Sequence, residues 1–372
     1  MTSVTLMWIL LAALLPSFLL TFVSAFWIRR RAAGWGLIDQ PGERKVHVTP
    51  TPMGGGLAIW LGVLVPFLVG TLLVMGASSD LEWLPGALQE HVQGFSNRVG
   101  SLWILLAGGT ALLILGLVDD VRGLPWQLRL AIQFLVVTVC ISTQGWQLSL
   151  FLSSRLLATL VSIVWVVLLI NSFNMLDNMD GGSAGVAAIV SLMLTVFVLL
   201  PGTSEHGPQW FIAGFFLVLL GSLLGFLVHN RPPARLFMGD AGSYFVGFCI
   251  GIASLLATYA SDQKPHAVMA PLCVLAVPIY DFVTVIFIRL REGRSPFQPD
   301  KNHFSHRLVE LGMTPGQAVL TMYLATATCG LGALLLPRVS SFLEAGIIVL
   351  LVACVLALVA ILETVARRKI RS

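Results

Sequence analysis

Carboxylates and side-chain amides stand in this chain where apolar segments end, and such groups can hold a cation or a phosphate. Asp119 and Asp120 are adjacent and follow an apolar run directly. Neighbouring negative charges repel each other unless a cation compensates, so the pair indicates Mg²⁺, a basic partner or a group that accepts a proton. The alternative is an exposed acidic turn, which is common in soluble proteins but less so beside a membrane helix.

A second polar segment carries Asn171, Asn174 and Asp177 at intervals of three residues. If the segment is helical, this spacing places the three side chains on one stripe. Their oxygen atoms suit a hard cation such as Mg²⁺ and the polar edges of a nucleotide. Capping of the next helix explains Asp180 but not the other three residues, so the segment predicts a binding site.

Two later segments add an acid and a pair of histidines. Asp240 precedes an apolar run, where one carboxylate can both cap the helix and bind a ligand. His303 and His306 are three residues apart and Arg307 follows directly, which presents donors that could clamp an anion. No cysteine or further histidine lies nearby in the sequence, so zinc is not expected here.

The first polar segment, residues 39–56, combines basic residues with glycines. Lys45 follows Arg44, and three glycines begin at Gly54, just before an apolar run. Backbone N–H groups at a glycine-rich helix start can cradle a phosphate. A basic membrane anchor followed by a glycine packing seam explains the segment equally well. This segment leaves both interpretations open.

The elements that must position these residues are membrane helices. Of the 372 residues 57% are hydrophobic and 11% are charged, whereas a soluble domain has roughly a quarter charged residues. This composition excludes a water-soluble fold. Runs able to cross a core of roughly 30 Å as helices predict an all-α integral membrane bundle of about eleven transmembrane helices, forming one domain over residues 1–372. The runs are 4–28, 56–76, 101–118, 127–143, 155–172, 182–200, 210–229, 242–259, 266–289, 317–337 and 342–365.

The basic residues predict the orientation of this bundle. Of the 22 lysines and arginines, 18 fall in one set of alternate loops, and four fall in the other, namely Arg98, Arg155, Lys264 and Arg338. The positive-inside rule assigns the first set to the cytoplasm. We therefore expect an extracytoplasmic N-terminus, a cytoplasmic C-terminus and a site on the cytoplasmic face of the cell's inner membrane. The basic face favours anionic lipids and nucleotide phosphates, and nothing indicates nucleic acid.

Taken in order, the polar segments resemble those of the polyprenyl-phosphate N-acetylhexosamine-1-phosphate transferase family, in its WecA-like and TagO-like branch. The resemblance spans residues 39–312, and residues 317–365 hold two further transmembrane helices. The strings that carry it are Asp39 to Pro52 with Lys45, Asp119-Asp120, Asn171-Ser-Phe-Asn174-Met-Leu-Asp177, Phe237-Met238-Gly239-Asp240, and Asp300-Lys301-Asn302-His303.

This resemblance implies that an oxygen of a polyprenyl phosphate, such as undecaprenyl phosphate, attacks the β-phosphorus of a UDP-N-acetylhexosamine and releases UMP. It implies Mg²⁺, or Mn²⁺ in its place, held by Asn174 and Asp240. Asp119 or Asp120 would position or deprotonate the lipid phosphate. The remaining roles are a uracil stack for Phe237, nucleotide or phosphate contacts for Lys45, Asn171, Asp177, Asp180 and Arg129, and recognition of the diphosphate and sugar for His303, His306 and Arg307.

Other functions remain open from the sequence. His306 runs into Arg307 as in the N-acetylhexosamine branch, but Ser305 stands where a middle histidine is usual, which leaves the identity of the sugar open. A phospho-MurNAc-pentapeptide transferase-like activity is one alternative. A non-catalytic protein that binds or transports polyprenyl phosphate is a further alternative. An ion-coupled transporter is disfavoured, because transporter acids lie near the midplane of inverted repeats. Membrane lipids are expected partners, and homodimer formation is left open.

Overall fold

The computed structural model describes residues 3–40, 49–76, 94–148, 154–201, 203, 207–257, 259, 264–298, 300 and 302–371. Within this part, ten helices are long and apolar enough to cross a membrane, or eleven if one bent pair is a single span. The predicted all-α bundle of about eleven transmembrane helices is confirmed. The helices are α1 Ser3–Arg31, α2 Gly55–Gly76, α3 Val99–Arg122, α4 Trp126–Gln144, α5 Arg155–Leu176, α6 Gly182–Leu199, α7 Trp210–Asn230, α8 Gly239–Leu256, α9 Ala270–Val274, α10 Ala276–Arg291, α11 Phe304–Glu310, α12 Pro315–Leu335 and α13 Phe342–Arg371.

The bent span joins α9 to α10 at an angle of 65°. The break falls at Leu275, and Pro278 follows in the first turn of α10. Proline has no backbone N–H, so Pro278 cannot donate to Val274 and continue one helix into the other. The apolar run predicted as a single helix is therefore two helices, and α10 leaves the bend at a new angle.

Helix α8 lies inside the bundle and packs against α2, α3 and α5. The close approach of α2 and α3 to α8 depends on glycines, which have no side chain. A Cβ atom on Gly56 of α2 would lie 2.3 Å from the backbone nitrogen of Gly242, and one on Gly116 of α3 would lie 2.3 Å from Ala241. Small residues let helix backbones approach within a membrane. As a result, the polar ends of α2 and α3 both reach the start of α8.

One end of the bundle, which we call the site end, collects the connections α1–α2, α3–α4, α5–α6, α7–α8 and α10–α11. A short antiparallel ribbon lies there and pairs β1 Ile38–Asp39 with β2 Thr51–Pro52. The segment before α8 continues this arrangement, since Phe237 N donates to Pro52 O at 2.8 Å and Gly55 N donates to Phe237 O at 2.9 Å. Backbone hydrogen bonds therefore hold the first and fourth polar segments together.

Candidate active site

A cavity of about 900 Å³ opens among the connections at the site end. This volume lies in the roughly 300–1,000 Å³ range of small-molecule sites. All five polar segments contribute side chains to the wall, although they are far apart in the sequence. The polar and aromatic contributions include Asp39, Thr51, Asp120, Asp177, Asp180, Phe237, Asp240, Asp300, His303 and His306.

Asp120 joins the end of α3 to the beginning of α8. Its Oδ1 accepts a hydrogen bond from Asp240 N at 2.8 Å, and its Oδ2 accepts one from Ala241 N at 3.3 Å. These are N–H groups that a helix start leaves without partners, so Asp120 caps α8 from another helix. Gly239 permits this contact, because it has a φ of +73° and a Cβ there would lie 2.6 Å from Asp120 Oδ2.

Asp119 is directed away from the cavity, although it is adjacent to Asp120. Only 6% of it is exposed. Its Oδ1 accepts from Leu124 N at 2.7 Å, while its Oδ2 accepts from Arg129 Nη1 at 2.8 Å and from the Tyr244 hydroxyl at 3.0 Å. Successive helical residues are about 100° apart around the axis. Of the predicted pair, Asp120 lines the cavity, and Asp119 instead anchors Arg129.

Asn174 and Asp240, the two predicted metal ligands, are in direct contact. Asn174 Nδ2 donates to Asp240 Oδ1 at 2.6 Å and to Ser243 Oγ at 3.0 Å. Arg129 Nη1 lies 3.7 Å from Asp240 Oδ2, so this arginine lies between the carboxylates of Asp119 and Asp240. The structure thus brings an amide, two carboxylates and a guanidinium together at the start of α8.

The donor atoms of this group fit Mg²⁺. Among the described residues, no three His, Cys, Asp or Glu side chains are grouped so that they could hold a metal by themselves. Magnesium is usually held by one or two carboxylates together with water and substrate phosphates. Asp240 with the amide oxygen of Asn174 matches that demand, because the two side chains are in contact and Asp240 lines a cavity that also holds Asp120 and Asp177.

The third polar segment divides between two environments. Asp177 follows the last residue of α5 and lines the cavity, and Asp180 Oδ2 accepts from Ala234 N at 2.8 Å. Burial, together with the charges of Asp120 and Asp180, raises the pKa of Asp177 to about 7. Asn171 and Asn174 do not line this cavity but belong to the wall of a second, adjoining one, where Asn171 Nδ2 donates to Gln133 Oε1 at 2.7 Å. The predicted stripe therefore contributes Asp177 to the larger cavity and its two asparagines to the adjoining one.

The histidine segment, residues 300–307, forms another wall. His303 and His306 both line the cavity, with ring centroids 6.2 Å apart. His303 Nδ1 lies 3.0 Å from Asp281 Oδ2, and Asp281, in α10, has no exposed surface. Sequence reasoning missed Asp281. The available signal was an acid inside the apolar run 266–289, where an ionisable residue is costly.

Arg307, predicted to contact substrate, is not among the residues that line the cavity. It is 2% exposed, and its donors go to Asn302 O at 2.8 Å and Thr284 Oγ1 at 3.0 Å. Its Nε lies 2.9 Å from Glu363 Oε2 of α13. Because residues 304–310 are helical, His306 and its neighbour Arg307 cannot face the same direction. Arg307 holds α11 against α10 and α13.

Asp300 ties the histidine segment to the end of α10. Arg289 donates to both of its carboxylate oxygens, at 3.0 and 3.2 Å, and Arg294 Nη2 lies 3.1 Å from its Oδ2. Burial opposes ionisation of Asp300, but the hydrogen bonds from Arg289 and Asn302 hold its pKa at about 2. The segment is therefore fixed by an ionised carboxylate at its first residue.

A second cavity of about 510 Å³ adjoins the first. Most of its wall is apolar and comes from α4, α5 and α10, with Phe134, Leu168 and Ile286 as examples. Arg129 and Asn174 lie at its polar end, and His303 belongs to the walls of both cavities. A polar site is thereby connected to an apolar space between membrane helices.

Lys45 belongs to residues 41–48, which lie outside the described part of the chain. Its predicted contact with a nucleotide stays a prediction, as does the phosphate cradle proposed for that segment.

Comparison with known proteins decides the family. The sequence profile of glycosyl transferase family 4 matches residues 102–258. The decaprenyl-phosphate N-acetylglucosaminephosphotransferase of Mycolicibacterium smegmatis is 32% identical over 341 residues, which cover 86% of this chain and 80% of the relative. The chain belongs to the polyprenyl-phosphate N-acetylhexosamine-1-phosphate transferase family. The resemblance found in the polar segments is confirmed.

Two further relatives of this transferase family come from other bacteria. A Bacillus subtilis protein named "Probable undecaprenyl-phosphate N-acetylglucosaminyl 1-phosphate transferase" is 30% identical over 92% of this chain and 89% of its own length. The undecaprenyl-phosphate alpha-N-acetylglucosaminyl 1-phosphate transferase of Escherichia coli is 27% identical over 84% of this chain and 80% of its own length. The family profile covers α3 to α8, which carry Asp120, Asn174 and Asp240, and these relatives extend the match beyond it.

Proposed function

We propose that this chain transfers N-acetylglucosamine 1-phosphate from UDP-N-acetylglucosamine to a polyprenyl phosphate and releases UMP. This would be the first membrane step of cell-envelope polysaccharide synthesis. The observation that carries the proposal is the junction of the two cavities, where Asn174, Asp240 and Arg129 lie between a polar site and an apolar space. A nucleotide sugar fits the first and a lipid chain fits the second, and the names of the relatives favour N-acetylglucosamine over the pentapeptide substrate.

The donor nucleotide would bind in the larger cavity. Phe237 lines this cavity. Its backbone N–H donates to Pro52 O and its C=O accepts from Gly55 N, and these two hydrogen bonds hold the residue in place. An aromatic ring fixed in this way offers a face for stacking with uracil. The carboxylates of Asp177 and Asp180 can accept hydrogen bonds from the N–H and hydroxyl groups of a nucleoside.

The acceptor lipid would place its chain in the apolar cavity and its phosphate beside Arg129. The guanidinium has five N–H donors, and the contact with Asp119 takes one of them. Asp119 therefore orients Arg129 while leaving donors that can reach a phosphate. This arrangement accounts for a buried acid beside the cavity-lining one, since Asp119 acts through Arg129.

The reaction follows from these positions. A phosphate oxygen of the lipid attacks the β-phosphorus of the donor, and the bond to the oxygen that bridges the two phosphorus atoms breaks, so UMP leaves with that electron pair. Bound at Asn174 and Asp240, Mg²⁺ would supply neutralisation of the charge that builds up on the diphosphate. A lipid phosphate is already anionic at neutral pH, so Asp120 need not remove a proton. By capping α8, Asp120 fixes the start of the helix that carries Asp240.

The test is UMP release by purified protein in detergent with undecaprenyl phosphate, Mg²⁺ and a panel of UDP-sugars that includes UDP-MurNAc-pentapeptide. We expect UMP only when lipid, metal and UDP-N-acetylglucosamine are all present. Asp120→Asn should reduce the rate strongly, and Glu310→Gln, an exposed carboxylate of α11 outside both cavities, should not. No turnover with any nucleotide, in protein shown to be folded, would contradict the proposal and favour a lipid-binding role.

We also propose that the site end faces the cytoplasm, because UDP-sugars are made there and because most basic residues lie in its loops. A single added cysteine at residue 98, at the opposite end, should react with a membrane-impermeant thiol reagent in intact cells. One at residue 310 should react only after the membrane is opened. The reverse pattern would overturn the orientation.

A further inference from the structure

Asp281 has an unusual position for a carboxylate. It lies in the first half of α10, in the apolar run predicted to cross the membrane, and none of its surface is exposed. An ionisable group buried there costs several kcal/mol unless it is paired. Its partners are His303 Nδ1, 3.0 Å from Oδ2, and Phe304 N, which donates to Oδ1. Both partners belong to the histidine segment.

The contact determines which nitrogen of His303 carries a proton. A carboxylate accepts hydrogen bonds and has none to give, so Nδ1 must be the donor. In the neutral ring Nε2 is then the acceptor, whereas a free histidine can exchange the two roles. Because His303 belongs to the walls of both cavities, the nitrogen that is not held by Asp281 is the one available to a ligand.

We propose that Asp281 is a positioning residue, which fixes the ring orientation and the Nδ1–H tautomer of His303 so that Nε2 is presented at the junction of the cavities. The effect on catalysis rests on the proposed transferase function, but the tautomer does not. The rival explanation is a purely structural one, in which Asp281 only caps α11 through Phe304 N.

Asp281→Asn separates the two explanations, because asparagine keeps the shape and one carbonyl oxygen. That oxygen can still accept from Phe304 N and cap α11. The amide nitrogen would then face His303 Nδ1 as a donor, which reverses the polarity of this hydrogen bond. We expect the ring to change to the Nε2–H tautomer without unfolding.

The first measurement is the ¹⁵N NMR spectrum of histidine-labelled, ligand-free protein in detergent, with the His303 signals assigned by their loss in His303→Gln. The wild type should show Nδ1–H and Asp281→Asn should show Nε2–H. The matched control is Glu363→Gln, the other buried acid that holds α11, which should leave the tautomer unchanged. A wild-type ring with Nε2–H, or one that Asp281→Asn does not alter, would overturn the proposal.

The second measurement is a double-mutant cycle of Asp281→Asn and His303→Ala on UMP release. If Asp281 acts through His303, Asp281→Asn should lower kcat by up to roughly 100-fold with little change in the KM for lipid, and it should have little further effect once His303 is alanine. Independent, additive losses would favour the structural role. If the wild type releases no UMP, the proposed function fails, and the NMR result alone decides the role of Asp281. If Asp281→Asn does not fold, the tautomer of the wild type decides it.

Discussion

The two walls of the larger cavity are built in different ways. The carboxylate wall is formed by Asp120 and Asp240, with Asn174 in contact with Asp240 behind it. These residues stand on the ends of α3, α8 and α5, and the helices are held by apolar packing within the bundle. The histidine wall, residues 300–307, stands on a loop and the short helix α11. It is held by the buried polar side chains Asp281 and Glu363.

This difference shows two ways in which the positions of site residues are fixed. Residues on the ends of packed helices are placed by the fold itself, so the packing of the helices sets their positions. A loop has no such support and requires buried charges to fix it, each of which is costly when it loses its partner. Substitutions in the carboxylate wall should therefore reduce activity, while those behind the histidine wall should also reduce stability.

The largest effect is expected for Asp240→Asn in the carboxylate wall. The change removes a charge in contact with Asn174 and near Arg129, but it keeps the shape of the side chain. Loss of one electrostatic group at a reacting centre costs about 100- to 1,000-fold in kcat. UMP release should fall by about that factor, while the melting temperature in detergent stays close to that of the Glu310→Gln control. Equal losses of activity and stability would remove the distinction between the walls.

The second effect concerns the ion pair behind the histidine wall. Arg307→Ala leaves Glu363 buried without its cation, which costs roughly 3–5 kcal/mol. Thermal unfolding should begin at a clearly lower temperature, and the double variant with Arg307→Met and Glu363→Leu should recover part of the loss. If Arg307→Ala instead unfolds at the temperature of the wild type and binds UDP-N-acetylglucosamine weakly, then Arg307 belongs to the binding site.

Helix positions could be predicted from the sequence because a lipid bilayer permits few backbone structures. An apolar run of sufficient length must satisfy its own backbone hydrogen bonds, so the run 182–200 corresponds closely to Gly182–Leu199. The same reasoning does not find the bend at Leu275, because both halves of the run 266–289 are apolar. Hydropathy therefore predicts where a span lies, and local backbone chemistry determines its shape.

The site could be predicted as a set of segments but not as a set of contacts. Asp119 and Asp120 have the same chemistry and follow the same helix, and a rotation of about 100° separates the acid that holds Arg129 from the acid that lines the cavity. The same rotation separates His306 from Arg307. Asp281 could not be linked to His303 from sequence, because the two meet only where the loop after α10 returns towards that helix.

A smaller effect distinguishes two acids of the same cavity by pH. Asp177 has a pKa of about 7 in the folded protein, above its ordinary value of 3.8, so the folded state holds this proton more tightly than the unfolded state. Its contribution to the free energy of unfolding should therefore fall as the pH rises from about 4 to about 7 and be constant above. Asp177→Asn should flatten the decline of melting temperature between pH 5 and pH 8, measured without ligand or Mg²⁺.

Asp300→Asn is the matched control for that measurement. With a pKa of about 2, Asp300 is ionised over the whole range from pH 5 to pH 8. Its loss should lower the melting temperature by breaking the contacts with Arg289, but the slope against pH should not change. A slope that depends on Asp300 and not on Asp177 would reverse the assignment of the protonated acid.

The smallest effect is expected at the exposed edge of the apolar cavity. Trp126, the first residue of α4, stacks on Phe297 with ring centroids 3.7 Å apart, and Phe297 lines the apolar cavity. Such a pair contributes about 1 kcal/mol, so Phe297→Ala should raise the KM for the lipid about fivefold. Phe297→Leu should recover most of this if an apolar wall is what matters. If both variants lower kcat instead, the stack serves the histidine wall, because Phe297 lies in the loop that leads to His303.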